Sequence, residues 1–193
     1  MAKADLRRGF KAEGERIALE LRDELEIGAQ GRLDPSALAG LLQVPIMTLH
    51  DLAAVAPEDV RHLLGRGRSA FSAATIHVTR FRRLIITNPA HAMTRQVNTV
   101  CHELSHIILD HEPEAPLNLL QGGRAWNGAQ EREADWLAGC LLIPHEAAHA
   151  AARKGHTDEE VASVFGVSRP LATWRMRMTG ARIRAQRVAR FAT

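Results

Sequence analysis

The chain has 193 residues, of which 46% are hydrophobic and 24% charged, and its formal net charge is +3. Such a length and composition indicate an ordinary globular domain with at most a small appended unit, large enough to fold without disulfide bonds. Two isolated cysteines, Cys101 and Cys140, favour a reducing compartment. Because no apolar run reaches membrane-span length and the charged N-terminus lacks a signal-peptide core, we expect a cytoplasmic protein without membrane contact.

The first half of the chain is predicted to form short helices followed by two strands. Helical spacing of apolar residues and proline start signals define the helices, which cover residues 5–27, 35–42 and 57–64. Residues 71–79 and 81–87 are rich in β-branched and aromatic side chains, which is typical of strands.

From about Ala90 onward the pattern is helical, apart from a loop over 111–129 that contains proline and glycine. The predicted helices cover residues 91–110, 130–143, 145–154, 158–165 and 169–179. Together the elements predict an α+β fold that is dominated by helices, with a small β-sheet ahead of the helix over 91–110.

That helix carries the motif His-Glu-x-x-His at His102, Glu103 and His106. Helix positions four apart differ by about 40° of rotation and roughly 6 Å of rise, so both imidazoles can reach one tetrahedral ion. Glu103 lies about 100° round from His102, where it is predicted to take a proton from a metal-activated water. The opposite side of the helix is an apolar stripe made of Val97, Val100, Cys101, Leu104, Ile107 and Ile108.

A catalytic zinc takes three protein ligands, and the third is predicted to come from the helix over 130–143. Glu131 and Asp135 share a face of that helix, so Glu131 can bind the metal while Asp135 orients a ligand histidine. Glu133 points about 200° away from Glu131 and remains the alternative ligand. His111 is expected to be a surface histidine at the end of the helix over 91–110, which carries the motif.

A second copy of the motif occurs at His145, Glu146 and His149. It follows a proline directly and precedes an alanine-rich, basic helix end that is expected to be exposed, so the first copy is the preferred metal site. A glutamate follows at 159–160, so spacing alone does not exclude the second copy.

The chain contains no tyrosine, a residue that related sites often use to stabilise an oxyanion. One of the histidines His77, His91 and His111, or an arginine, would have to serve instead. The sequence does not choose among them.

Several of these segments together resemble the ImmA/IrrE family of metallopeptidases. They are FSAA at 71–74, RRLIITNPAH at 82–91, RQ at 95–96, HELSH at 102–106 and EREADWLAGCLLIP at 131–144. The resemblance extends from about residue 12 to residue 180. The chain departs from the family at Ser105, often glycine there, and at Cys101, commonly alanine.

This resemblance implies a zincin-like metallopeptidase domain, assigned here to residues 1–155. It implies Zn²⁺ on His102, His106 and a downstream glutamate, for which Glu131 is our prediction, with Glu103 as the catalytic base. It further implies a protein substrate, such as a transcriptional repressor encoded nearby, and a role in stress or mobile-element regulation.

Residues 156–193 resemble a helix-turn-helix and are predicted to pack on the same domain. Gly166 allows the turn, and Ser168 caps a second helix that bears Arg169, Arg175 and Arg177. Seven arginines and no acidic residue occur over 161–193, so nucleic acid or an acidic protein surface is a possible partner of this C-terminus. A structural role within the peptidase body is the preferred interpretation.

Two other functions are compatible with the sequence. One is a DNA-binding regulator in which zinc is structural or sensory, and the other is a toxin–antitoxin partner without catalysis. Binding to DNA that weakens with salt would favour the regulator, whereas metal-dependent cleavage of a repressor would favour the peptidase.

Overall fold

The computed structural model of the chain describes residues 6–79, 82–112 and 128–191. The chain forms two compact units. The first unit contains residues 1–7 and 34–135, and the second contains residues 8–33 and 136–193. The division that the sequence suggested at residue 155 concerns functional domains, and it stays a prediction.

Helices make up most of the described structure. In chain order they are α1 Phe10–Glu24, α2 Pro35–Leu41, α3 Pro57–Leu64, α4 Met93–Ile108, α5 Gly128–Leu142, α6 His145–Arg153, α7 Asp158–Phe165, α8 Arg169–Met178 and α9 Ala181–Phe191, with a 3₁₀ turn at Leu49–Leu52. The strands are β1 Ile46–Thr48, β2 Ala73–His77 and β3 Arg83–Thr87. These helices and this small sheet confirm the predicted α+β class.

The first unit contains the sheet, whose strand order is β1-β3-β2. β1 runs parallel to β3, whereas β2 is antiparallel to β3 and pairs Ala73 with Thr87 and His77 with Arg83. An apolar cluster fixes the register, because a slip of one residue would turn the apolar side chains to the other face. The buried members of this cluster are Leu49, Val60, Phe71, Ala74 and Ile86.

Helix α4 packs on β2, β3 and α2 within the first unit. The loop before it is fixed by Asn88, whose amide donates to the carbonyls of Leu63 and Phe71 and whose oxygen accepts from the Ala90 amide. The predicted apolar stripe is largely buried, with Cys101 and Leu104 inaccessible to solvent. Three further α4 residues are buried as well: Glu103 at 8%, Ser105 at 0% and His106 at 1% exposure.

The second unit contains α1, the later part of α5, and α6 to α9. Two arginines are completely buried in it, Arg22 and Arg175. The Arg175 guanidinium forms an ion pair with Glu15 and donates to the Ile143 carbonyl at 2.7 Å. The sequence placed Arg175 among the arginines that a DNA-reading helix would present, and this burial shows that Arg175 is wrong for that role.

Two glycines are needed where they stand in this unit. Gly166 lies between α7 and α8 with φ of 65°, a left-handed conformation that most side chains avoid. A Cβ on Gly139 would lie 2.4 Å from the Trp174 ring, so this ring can pack against α5 at its observed position only with glycine there.

The predicted helices agree with the observed ones apart from their ends, and three elements were missed: β1, the 3₁₀ turn at Leu49–Leu52 and α9. β1 has only three residues, too few for a periodic pattern, and α9 carries four arginines in eleven residues, so it resembles a charged tail in the sequence. Most of the predicted loop over 111–129, and residues 80–81 of the strand region, lie outside the described residues. No helix among those described is long and apolar enough to cross a membrane.

Arg22 gives a test of the second unit. Its guanidinium donates to the Leu141 carbonyl at 2.6 Å and to the Gly28 carbonyl at 3.0 Å, and it also contacts the Gly31 carbonyl. Replacing Arg22 with alanine leaves buried carbonyls without donors, so we expect the free energy of unfolding to fall by about 3 kcal/mol. Urea denaturation measures this change.

The control is Arg16→Ala on the same helix, which removes only an exposed ion pair with Glu20. That substitution should change the free energy of unfolding by less than about 0.5 kcal/mol. Equal effects of the two substitutions would contradict the assignment of Arg22 as a buried anchor.

Candidate metal centre

The two histidines of α4 point their Nε2 atoms at the same place. These atoms lie 3.1 Å apart, and the ring planes are inclined by 69°. His106 is 1% exposed and His102 19% exposed at the side chain, so both rings are mostly shielded from water. The single helical turn between them produces this convergence, as their spacing predicted.

Glu131, in the first turn of α5, adds a third potential metal ligand to the two histidines. The group formed by His102, His106 and Glu131 is called the donor triangle below, because each residue can donate an electron pair to a metal ion. Its Oε1 lies 3.3 Å from Nε2 of His106, and its Oε2 lies 3.5 Å from Nε2 of His102. Each Nε2 atom therefore faces a different oxygen of Glu131, and one oxygen and the two Nε2 atoms lie within 4.8 Å of one another. Such a group can hold a single metal ion with two imidazoles and one carboxylate.

Asp135 lies one turn after Glu131 on α5. Its Oδ1 accepts a hydrogen bond from Nδ1 of His102 at 2.9 Å. A carboxylate cannot donate, so the proton of His102 stays on Nδ1 in the neutral ring and the lone pair of Nε2 faces the other donors. The structure thus brings Asp135 to the place that the helical spacing predicted for it.

Glu133 does not join the two histidines of α4. Its Oε2 lies 3.3 Å from Nε2 of His111, and its Oε1 lies 3.0 Å from Nε of Arg7. Of the two glutamates that the sequence left open, the structure therefore brings Glu131 to the donor triangle. Glu133 faces a different histidine.

His111 is buried, and the prediction that it lies on the surface is wrong. It is 7% exposed, and its Nδ1 lies 3.0 Å from Nδ1 of His106. Burial is the largest cause that lowers the pKa of His111, and the neighbouring His106 adds to it, although Glu133 opposes the shift. Because both ring nitrogens already have partners, His111 is poorly suited to stabilise an oxyanion.

Glu103 is 8% exposed and is held by the sheet. Its Oε2 accepts hydrogen bonds from the Thr75 amide at 2.9 Å and from the Thr75 hydroxyl at 2.6 Å. Thr75 lies in the middle of β2, so strand and helix together fix the carboxylate. Sequence reasoning missed Thr75, because a threonine in a strand looks the same whether or not its hydroxyl has such a partner.

Two other histidines were candidates for binding an oxyanion. His91 has its Nε2 3.0 Å from the Phe71 carbonyl, and His77 ends β2 opposite Arg83. Neither contact shows that the histidine binds an oxyanion, so a role for His77, His91 or an arginine in stabilising the oxyanion stays a prediction.

The charges around the donor triangle balance one another. Burial by itself lowers the pKa of His102, but hydrogen bonds to Asp135 and Glu131 outweigh it and raise the pKa to about 10. Burial raises the pKa of Glu131, but hydrogen bonds from His102 and His106 outweigh it and lower the pKa to about 2. In the metal-free protein a protonated His102 therefore lies between two carboxylates at neutral pH.

The second copy of the motif gives a different arrangement. His145 and His149 also bring their Nε2 atoms to 3.0 Å, but they line a cavity of about 460 Å³ that carries Arg153 and Arg184, whose charges oppose a divalent cation. The expectation of an exposed helix end is correct for Arg153, Lys154 and Gly155 and wrong for Ala150 and Ala151, which are buried.

Only one group of potential ligands in the described part of the chain has three members close together. It consists of His102, His106 and Glu131, whose ligand atoms lie within 4.8 Å of one another. Within the residues that the structure covers, the second copy of the motif has no such third ligand.

A family model described as Peptidase_M78, IrrE N-terminal-like domain, matches residues 57–177. The matched segment extends from the start of α3 almost to the end of α8 and includes every residue of the donor triangle. None of the curated proteins matches the chain.

Zinc binding should release a proton from His102. Zinc needs the lone pair on Nε2, and with a pKa of about 10 the metal-free ring is protonated at pH 8. Zinc must therefore displace this proton, and the apparent affinity should rise about tenfold per pH unit until pH approaches 10. Calorimetric titrations in two buffers of different ionisation enthalpy count the protons released.

The matched control is Asp135→Asn, which keeps an oxygen that can accept from Nδ1 of His102 but removes the negative charge that raises the pKa of that histidine. The count should then be smaller, because a larger fraction of His102 is already neutral at pH 8. An unchanged count would contradict the assignment of the released proton to this histidine.

Proposed function

This chain belongs to the Peptidase_M78 family of IrrE N-terminal-like domains, and from that premise we propose that it is a zinc-dependent endopeptidase. The match over residues 57–177 confirms the resemblance to the ImmA/IrrE family that the motifs indicated. The proposed reaction is hydrolysis of a peptide bond in a protein substrate, and the proposed metal ligands are His102, His106 and Glu131.

The observation that carries this proposal is the donor triangle beside a tethered carboxylate. Two imidazoles and one carboxylate form the ligand set of many catalytic zinc sites, which leave a fourth position for water or substrate. The charge of Glu103 lies near enough to His102 to raise the pKa of that ring. The residues needed for metal binding and for proton transfer are therefore neighbours.

In this mechanism Glu103 is the general base. A zinc ion at the site would polarise the scissile carbonyl and activate a water molecule for attack. Glu103 accepts the proton of the attacking water and donates it to the leaving amine. The two hydrogen bonds from Thr75 hold Oε2, which favours Oε1 as the atom that carries the proton.

The proposed substrate is a transcriptional repressor encoded near this chain's own gene, and the proposed location is the cytoplasm. The support for the repressor is the family resemblance. The support for the location is that the chain has only two cysteines, Cys101 and Cys140, and both are buried, which is too few for a disulfide framework.

The test combines this protein with the purified product of the neighbouring repressor gene. We expect cleavage that stops when a chelator removes zinc and returns when zinc is restored. Glu103→Gln should slow cleavage by roughly 10²- to 10⁴-fold, because an amide cannot accept the proton. Gel electrophoresis and mass spectrometry of the fragments measure the rate and the cut site.

The control for Glu103→Gln is its zinc content, which should stay near one ion per chain because Glu103 is not in the donor triangle. Normal cleavage by the Gln variant would refute the mechanism. Loss of zinc from that variant would show that Glu103 is a ligand instead.

A second candidate function is contact with nucleic acid through α9. Arg184, Arg187 and Arg190 are exposed on this helix, and no acidic residue occurs over 161–193. The helix-turn-helix-like pair α7 and α8 supports it less, because Arg175 is buried and Arg169 forms an ion pair with Glu159. Such binding would rest on charge rather than on base recognition.

Gel-shift titrations at several salt concentrations measure this binding. Plots of log affinity against log salt have a negative slope. Replacing Arg184, Arg187 and Arg190 with glutamine should make this slope less steep by about 2 to 3, since each phosphate contact contributes about 0.9. Arg16→Gln, an exposed arginine on α1, is the control. If the triple variant binds as the parent does, α9 is not the contact surface.

A further inference from the structure

The turn that ends α4 places His111 on His106. Asp110 has φ of 50°, its amide donates to the Ile107 carbonyl, and the His111 amide donates to the His106 carbonyl at 3.0 Å. This pair of bonds is a Schellman motif, in which the side chains of the two outer residues usually touch. Here those side chains are His106 and His111, so a common helix end gives a specific ring contact.

His111, which contacts His106 on one side, contacts Glu133 of α5 on the other. The rings of His106 and His111 have centroids 5.0 Å apart and planes inclined by 67°, so they meet edge to face. Nδ1 of His106 lies 3.0 Å from Nδ1 of His111, and Nε2 of His111 lies 3.3 Å from Oε2 of Glu133. Arg7 holds the other carboxylate oxygen at 3.0 Å.

The Glu133 carboxylate, at one end of the series of hydrogen bonds from His106 through His111, determines which ring nitrogens carry protons. An ionised glutamate only accepts, so Nε2 of His111 must carry a proton to form the bond. A neutral imidazole has one N–H group, so Nδ1 of His111 is then an acceptor. The Nδ1 of His106 must therefore donate, which leaves its Nε2 with a lone pair directed at the donor triangle.

We propose that His111 and Glu133 form a positioning relay that fixes the tautomer and orientation of His106 for metal binding. The proposal rests on the proposed function, because it concerns the same donor triangle. His102 is oriented directly by Asp135, whereas His106 is oriented by Glu133 through an intervening imidazole. His111 and Glu133 contact neither metal nor substrate in this role.

Burial explains why His106 needs a protein partner. At 1% exposure its ring has almost no access to solvent that could satisfy Nδ1. Without an acceptor there, the proton would move to Nε2 and block the metal-binding lone pair, or Nδ1 would stay unsatisfied in the interior. Losing an orienting partner of this kind typically weakens metal binding by about 10- to 100-fold.

Zinc affinity, measured by competition with a chromophoric chelator at pH 8, tests the relay. His111→Leu and Glu133→Leu should each weaken zinc binding by about 10- to 100-fold. His111→Asn should retain affinity within about threefold, because its side-chain oxygen accepts from Nδ1 of His106. His50→Leu, which removes an exposed histidine of the same unit, should leave the affinity unchanged.

A double-mutant cycle separates a relay from two independent effects. Because Glu133 acts through His111, the double leucine variant should bind zinc no more weakly than His111→Leu alone. Losses that add, unchanged affinity in His111→Leu, or failure of His111→Asn to restore binding would each overturn the proposal. If the parent protein binds no zinc at all, the metal assignment itself fails, which is a different result.

The tautomers can be read without any metal. Long-range ¹H–¹⁵N correlation spectra of the metal-free protein should show the proton of His106 on Nδ1 and that of His111 on Nε2. In Glu133→Leu, the signal of His111 should shift toward a mixture of tautomers. A proton on Nε2 of His106 in the parent protein would overturn the relay even if all variants fold and bind zinc.

Discussion

The first unit depends on one geometric constraint: three potential ligand atoms from two helices must converge to within 4.8 Å of one another while two of the side chains are largely buried. One turn of α4 supplies His102 and His106, and the first turn of α5 supplies Glu131. On α5, Ala134 lies between Glu131 and Asp135 in the sequence and is completely buried. The sheet anchors α4 and, through Thr75, also holds Glu103.

Desolvating His102 and Glu131 at the metal centre would cost free energy if their charges did not offset each other. Desolvation opposes a protonated His102 and an ionised Glu131, yet each stabilises the other, and Asp135 adds a second negative charge. The metal-free centre is thus held together by the groups that zinc would bind, with a proton in place of the ion. Binding then exchanges one cation for another, which requires little rearrangement of the side chains.

The sequence predicted the residues of the metal centre better than the residues that surround it. Helical spacing alone puts His102 beside His106 and Glu131 on the same face as Asp135, because these relations are local. His111 and Thr75 could not be found this way: the first reaches His106 through a left-handed residue at Asp110, and the second through tertiary packing of β2 on α4. Arg175 was named because residues 156–193 resemble a helix-turn-helix, and that resemblance does not report that its guanidinium is buried against Glu15.

The central claim is that one ion is held by His102, His106 and Glu131. Diffraction from zinc-loaded crystals, recorded above and below the zinc absorption edge, locates that ion directly. The account predicts a single strong anomalous peak within about 2.1 Å of both Nε2 atoms and of one Glu131 oxygen. A peak beside His145 and His149 with none at the first motif would contradict it.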